Sequence, residues 1–379
     1  MSNCALGDDV YCEDPTVNLL EKKGAKLLGK ERALFVPSGT MANAIAIATH
    51  CKRGDEVICG NLSHIFNWEG GGASSLFGVS LFPVANMVSG KLNSKQLVSA
   101  IRPDDDHCAH TQMVVLENTH NMCGGKVLSP EYVEDMNAFC RKHRIILHMD
   151  GARLANASVA LKKPMHTLAE PCRSVTLCLS KGLGAPVGSL LAGTESFITR
   201  ARHIRKALGG GMRQAGIIAA AGLVALEDFV PQLTVDHKHA QVLAKGLSKL
   251  GFSVIEPESN IVIFNLKRRA GAKSGPSNDS SATKEVISAS PDFDGSANID
   301  MKAISSTPPT ANDIFLASAE ADNNAAEVDR FVKAMRKEGV LVGGARPAFA
   351  TIRAVTHRNV NAEDIDAALK AFERVAGQL

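Results

Sequence analysis

The sequence predicts a large α/β domain with a mostly parallel sheet, followed by a smaller α+β domain. Three observations carry this. Over residues 16–229, short apolar runs rich in β-branched residues alternate with helical stretches. Beyond residue 236 the alternation gives way to short strands and longer helices. The length, 379 residues, is too great for one small core and suits a large and a small domain.

The strands of the first part are predicted at residues 33–36, 56–59, 113–117, 145–150, 175–180 and 189–193, each bounded by Gly, Ser, Asp or Pro. Between them, 130–143 places Tyr132, Val133, Met136 and Phe139 at helical spacing. The large domain is taken as 1–235 and the small one as 236–379. The small domain is predicted to hold helices at 237–250, 325–337 and 362–375 and strands at 253–255, 260–266, 314–318 and 351–356. Residues 267–313 are rich in Ser, Ala, Asp, Asn, Pro and Gly. Their apolar content is too low to offset an ordering cost of roughly 1–2 kcal/mol per residue, so they read as a disordered insertion.

Composition excludes several classes of partner. With 45% hydrophobic and 21% charged residues and a net charge of +3, nothing asks for nucleic acid or an anionic membrane. No segment approaches the roughly 18 uninterrupted apolar residues of a membrane span. The 9 cysteines form no CxxC pair and no Cys/His cluster at metal spacing, so no metal site is expected. An odd cysteine count with no signal peptide at the start is the pattern of reduced thiols, and a soluble cytoplasmic protein is expected.

The chemistry-bearing residues follow strands. Ser38-Gly39-Thr40 come after the strand at 33–36 and open an apolar helix, which suits a phosphate cradle of main-chain N–H groups and a hydroxyl. In isolation they make an ordinary helix cap. Asp150 ends the very apolar run at 145–150, where strand ends of a parallel sheet face the ligand crevice. A carboxylate there can pair with a protonated pyridine nitrogen, or simply cap the next helix. Arg153 follows, placed for a carboxylate clamp. Lys181 lies in Ser-Lys-Gly-Leu-Gly-Ala-Pro-Val-Gly, small residues with little competing charge, as a Schiff-base lysine needs. A solvated loop lysine has the same local signature.

Together these residues stand in the chain order of fold type I pyridoxal-5'-phosphate (PLP) enzymes, and the likeness goes further. Gly-Asp-Asp-Val-Tyr-Cys-Glu-Asp-Pro-Thr at 7–16, Ser-Gly-Thr-Met-Ala-Asn at 38–43, Glu-Asn-Thr-His at 117–120, Asp-Gly-Ala-Arg at 150–153, the Lys181 loop at 180–188 and Gly-Gly-Gly-Met-Arg-Gln at 209–214 resemble the low-specificity threonine aldolase family. The resemblance implies a PLP-dependent, transferase-like large domain and a small C-terminal domain. The implied reaction is retro-aldol cleavage of L-threonine or L-allo-threonine to glycine and acetaldehyde, in a homodimer or homotetramer. It implies that Lys181 carries the cofactor, that Asp150 binds its ring nitrogen, and that Ser38, Gly39 and Thr40 hold its phosphate with help from Lys206 and Arg213. His64 would stack on the ring and His120 would reach the substrate hydroxyl, either of them serving as base. Arg153 and Arg353 would clamp the α-carboxylate.

Two departures from the family pattern stand out. Only six residues precede Gly7, where the family usually carries an arm with an Arg-Ser-Asp-Thr motif, so a weakened enzyme is one expectation. Cys12 replaces a customary glycine, a strained exchange if the position needs positive φ. The open alternatives are a β-eliminating lyase of the same fold and a PLP-binding chain that has lost its activity.

Overall fold

Near-continuous apolar runs such as Ile146-Leu147-His148-Met149 are what a strand covered on both faces requires, and they build the main sheet. The computed structural model describes residues 1–268, 311–346 and 350–377, in two compact units. The first comprises Met1–Lys238, Glu258–Ile261 and Thr356–Val360. Its 7-stranded sheet contains β1 (Arg32–Val36), β2 (Glu56–Gly60), β3 (Ser80–Val84), β4 (Thr111–Glu117), β5 (Ile146–Asp150), β6 (Ser174–Cys178) and β7 (Ser189–Gly193), in the order β1-β7-β6-β5-β4-β2-β3. β7 runs antiparallel to both of its neighbours, and the other pairs are parallel. The carboxyl ends of β1, β2, β4, β5 and β6 therefore open on one edge of the sheet, which is where α/β sheets bind ligands.

Helices cover the faces. Gly39–His50 leaves β1 with Ser38 as its cap, the Ser38 hydroxyl accepting the Met41 N–H at 3.2 Å. Pro15–Leu28 begins at Asp14, whose wholly buried carboxylate accepts main-chain N–H groups from Gly7, Thr16, Val17 and Gly216. The segment before that helix is also held by charge. Buried Asp9 pairs with buried Arg205 at 2.8 Å, and Arg202 bridges Asp9 and Glu21. Buried charges persist only when paired in this way.

The second unit comprises His239–Pro257, Val262–Val355 and Asn361–Leu379. Its sheet orders β10 (Gly343–Arg346), β11 (Thr351–Val355), β9 (Ile261–Arg268) and β8 (Phe252–Ile255), with the helices Ala311–Lys337 and Ala362–Ala376. Four aromatic rings make its centre: Phe264 meets Phe252 at 5.3 Å and Phe372 at 5.6 Å edge-on, and Phe331 stacks on Phe372 at 6.0 Å.

Three sequence expectations need correction. Residues 314–318, expected as a strand, belong to the helix Ala311–Lys337, because a short apolar run does not distinguish strand from buried helix. β3 was not anticipated: it is an edge strand carrying Pro83, which hides the pattern but is tolerated at an edge. β10, Gly-Gly-Ala-Arg, has no β-branched residue to announce it. Of the expected insertion, 267–268 lie in β9 and 311–313 in the following helix, while 269–310 lie outside the described residues. Among the described residues no single helix is long and apolar enough to cross a membrane.

Cys12 adopts φ 62° and ψ 28°, the left-handed region, closing the short turn Asp9–Tyr11. Its side chain is exposed, so burial of the thiol does little to offset the strain. Cys12→Gly is expected to raise stability by about 1 kcal/mol, read as a higher denaturation midpoint at unchanged slope. A lower midpoint would show that the thiol contributes to the fold.

Candidate active site

The sheet's carboxyl edge brings Asp150, His64 and Lys181 into one neighbourhood of the first unit. Asp150 is the last residue of β5 and 2% exposed. Its Oδ1 accepts the Ala152 N–H at 3.0 Å and the Thr176 hydroxyl at 3.4 Å, and its Oδ2 accepts from Asn43 Nδ2 at 2.9 Å. Burial pushes this carboxyl up. The Lys181 and His64 charges, with the Ala152 and Asn43 hydrogen bonds, outweigh burial and hold it below the ordinary aspartate range.

His64 begins a one-turn helix after β2 and donates from Nδ1 to Glu69 Oε1 at 2.8 Å. That hydrogen bond, aided by the Asp150 and Glu69 charges, raises its pKa against burial and the Lys181 charge. The Glu69 side chain is 6% exposed, and burial in turn raises its carboxyl. Glu69 Oε1 also accepts from Asn43 Nδ2 at 2.9 Å, so one amide serves two carboxylates.

Glu117, at the end of β4, ties two loops together. Oε2 accepts the His64 N–H at 2.7 Å and Oε1 the Asn121 N–H at 2.8 Å. His120 is 1% exposed, and among the described residues neither of its ring nitrogens makes a hydrogen bond. Its nearest charged oxygen is Glu117 Oε1 at 3.9 Å from Nδ1. A buried imidazole without partners is costly to the fold and suits a site that receives a ligand. Arg153 stands at the start of the helix Leu154–Leu161 and donates to Asn121 Oδ1 at 3.2 Å.

Lys181 follows β6, half-buried, in a turn closed by the Gly184 N–H to its carbonyl at 2.9 Å. Gly184 has φ 81°, the left-handed region that favours glycine. Among the described residues the Lys181 amine makes no hydrogen bond or ion pair; its charge is felt by Asp150 and His64. Ser38 and Thr40 are exposed at the start of Gly39–His50 and line a pocket of about 290 Å³ with Met41, Ile65, Glu69 and Leu208.

Lys206 is exposed in the last turn of the helix Glu195–Ala207, beside Arg205, which turns inward. The Arg213 guanidinium pairs with Asp8 at 2.6 Å and lies over the Tyr11 ring. Arg353 belongs to the second unit, on β11, where burial lowers its pKa.

Sequence reasoning assigned no role to Asn43, Glu69, Glu117 or Thr176. Asn43 left a trace: a polar residue that is 2% exposed within an otherwise apolar helix. The donor atoms of His64, Glu69 and Asp150 lie within 4.8 Å of one another, a set that could ligate a cation. Asn43 donates to both carboxylates, and the charges of Lys181 and His64 act on Asp150.

The carboxyl edge thus gathers a buried aspartate at a strand end, a lysine beyond the next strand and an exposed helix start. Residues 1–268 match the family described as beta-eliminating lyase. The chain is 46% identical over 273 residues to low-specificity L-threonine aldolase 1 of Arabidopsis thaliana, covering 70% of this chain and 76% of that one. It is 44% identical over 275 residues to the low specificity L-threonine aldolase of Escherichia coli K12, covering 73% and 82%. The chain belongs to the low-specificity threonine aldolase family. A solved threonine aldolase of Leishmania major superposes with TM-score 0.71 at 20% identity, covering 99% of this chain and 93% of that one. An aspartate aminotransferase of Thermotoga maritima does so with TM-score 0.64 at 14% identity, covering 96% and 82%. At such identity the likeness speaks for the fold alone. That fold is the type I PLP fold, with a mixed-sheet α/β domain and a smaller α+β domain.

The two unpaired ring nitrogens of His120 generate a prediction. His120→Leu is expected to leave the melting temperature unchanged or higher, since it removes a buried unsatisfied group worth about 1–3 kcal/mol. A loss of more than about 2 kcal/mol would show that the ring is a satisfied part of the core.

Proposed function

We propose that this chain is a PLP-dependent aldolase that cleaves L-threonine and L-allo-threonine to glycine and acetaldehyde. The observation that carries this reading is the buried, ionised Asp150, set among His64, Asn43 and the charge of Lys181 at the carboxyl edge of the sheet. The named relatives of Arabidopsis thaliana and Escherichia coli support the substrate class. Assembly as a homodimer or homotetramer and a cytoplasmic setting belong to the same reading.

In this reading Lys181 would hold the cofactor's carbonyl carbon, Asp150 its ring nitrogen, and Ser38, Gly39 and Thr40 its phosphate, with Lys206 and Arg213. When bound, PLP supplies the electron sink for the pair released at Cα as the Cα–Cβ bond breaks. An ionised Asp150 favours a protonated ring nitrogen and so strengthens that sink. Arg153 and Arg353 would orient the α-carboxylate and thereby choose the bond that breaks. Of the two histidines, His64 carries its proton against Glu69 and suits a donor. His120 has free ring nitrogens and suits acceptance of the β-hydroxyl proton.

Purified chain with PLP is expected to release glycine and acetaldehyde in equal amounts from both substrates. Lys181→Ala should abolish turnover and the borohydride-reducible cofactor adduct. Asp150→Asn should lower turnover at least about a hundredfold, roughly 2.7 kcal/mol of barrier. Formation of 2-oxobutanoate and ammonia from threonine in place of glycine would establish an eliminating lyase instead. A stoichiometric adduct in Lys181→Ala would overturn the lysine assignment.

A further inference from the structure

We propose that Glu69 and Asn43 are positioning residues of this site: Glu69 fixes the His64 ring through Nδ1, and Asn43 holds the side chains of Glu69 and Asp150 side by side. The inference rests on the reading of His64 and Asp150 as cofactor-facing residues.

The geometry is a closed set of contacts. Glu69 Oε1 takes His64 Nδ1 at 2.8 Å and Asn43 Nδ2 at 2.9 Å, and the same Asn43 nitrogen reaches Asp150 Oδ2 at 2.9 Å. A primary amide has two N–H groups, and here each faces a different carboxylate. The opposite amide orientation would set its carbonyl oxygen against both anions, so charge alone decides which way Asn43 points. Its Oδ1 turns instead to His148 Nε2 at 3.5 Å, a ring whose Nδ1 contacts the Ser174 hydroxyl at 2.7 Å. Burial draws His148 down to about 4, so it stays neutral and can offer Nε2–H to the amide.

Two carboxylates whose oxygens lie within 4.8 Å repel, and one would take up a proton without nearby compensation. The Asn43 and His64 hydrogen bonds offset part of the cost at Glu69, and the Lys181 and His64 charges with the Asn43 hydrogen bond do so at Asp150. From the other side, the groups facing His64 are Glu69 on its ring, Asp150 and Lys181 at longer range, and Glu117 on its main-chain N–H. The Glu69 hydrogen bond, with the Asp150 and Glu69 charges, raises the ring's pKa against burial and the Lys181 charge. With Nδ1 committed to Glu69, the ring leaves only Nε2 to meet whatever lies over it.

The test reads the His64 ring directly, by ¹⁵N NMR pH titration of the full chain before and after PLP is added. In the wild type the His64 midpoint should lie above that of a free histidine. Glu69→Gln removes the anion that favours the charged form, so the midpoint must move down. PLP affinity should weaken about tenfold, the lower end of what a hydrogen bond to a charged group is worth. An unmoved midpoint overturns the proposal, and a moved midpoint with unchanged PLP affinity overturns its functional half. If Glu69→Gln does not fold, Glu69→Asp, one methylene short of the ring, is read in the same way and must also lower the midpoint. The cofactor-free titration does not depend on the reaction. A shifted midpoint in a chain that does not cleave threonine defeats the proposed function alone, and threonine cleavage with an unmoved midpoint defeats the positioning role alone.

Discussion

The structure depends on keeping one carboxylate charged in a place that water barely reaches. Left to burial alone, a carboxyl such as Asp150 would rise by several pKa units and sit protonated at neutral pH. It is held ionised by the Ala152 N–H and the Asn43 amide, and by the charges of His64 and Lys181. Each of these groups arrives from a different element: the turn after β5, the helix after β1, the turn after β2 and the turn after β6. The parallel strands bring their ends to one edge, and the aspartate then gives those ends a common electrostatic purpose.

Glu117 plays the corresponding role for the loops. Its two oxygens accept main-chain N–H groups from the His64 and Asn121 segments, fixing both loops to the end of β4. Arg153 leans on the same loop through Asn121. His120 lies within this frame with its ring nitrogens unspent, a free-energy cost that a merely structural residue would not carry. The same edge thus contains a satisfied anion, Asp150, and an unsatisfied imidazole, which is the contrast a binding site needs.

Most of the fold and much of the site were legible in the sequence, for identifiable reasons. Strands such as β5 announce themselves as near-continuous apolar runs, and Asp150 and Lys181 stand where such runs stop. β3 was hidden by Pro83 and β10 by its glycines, while residues 314–318 looked like a strand because five apolar-leaning residues carry no decisive period. Cys12 was readable as a position wanting positive φ, and it has one. Asn43 and Glu69 escaped because their importance lies in contacts between residues far apart in the chain, Asn43 with Asp150 above all. Arg213, attractive by sequence as a phosphate partner, is engaged with Asp8, a contact that no local pattern signals.

The central claim is that Asp150 is ionised although buried, and difference infrared spectroscopy of the cofactor-free chain against Asp150→Asn tests it most directly. With ¹³C-labelled aspartate, the spectrum at about pH 6 is expected to contain a carboxylate band lost in Asp150→Asn and no protonated-acid band, because the surrounding donors and cations hold the pKa below the usual aspartate value. A protonated-acid band that disappears in Asp150→Asn at that pH would mean burial prevails over its neighbours and would contradict the account.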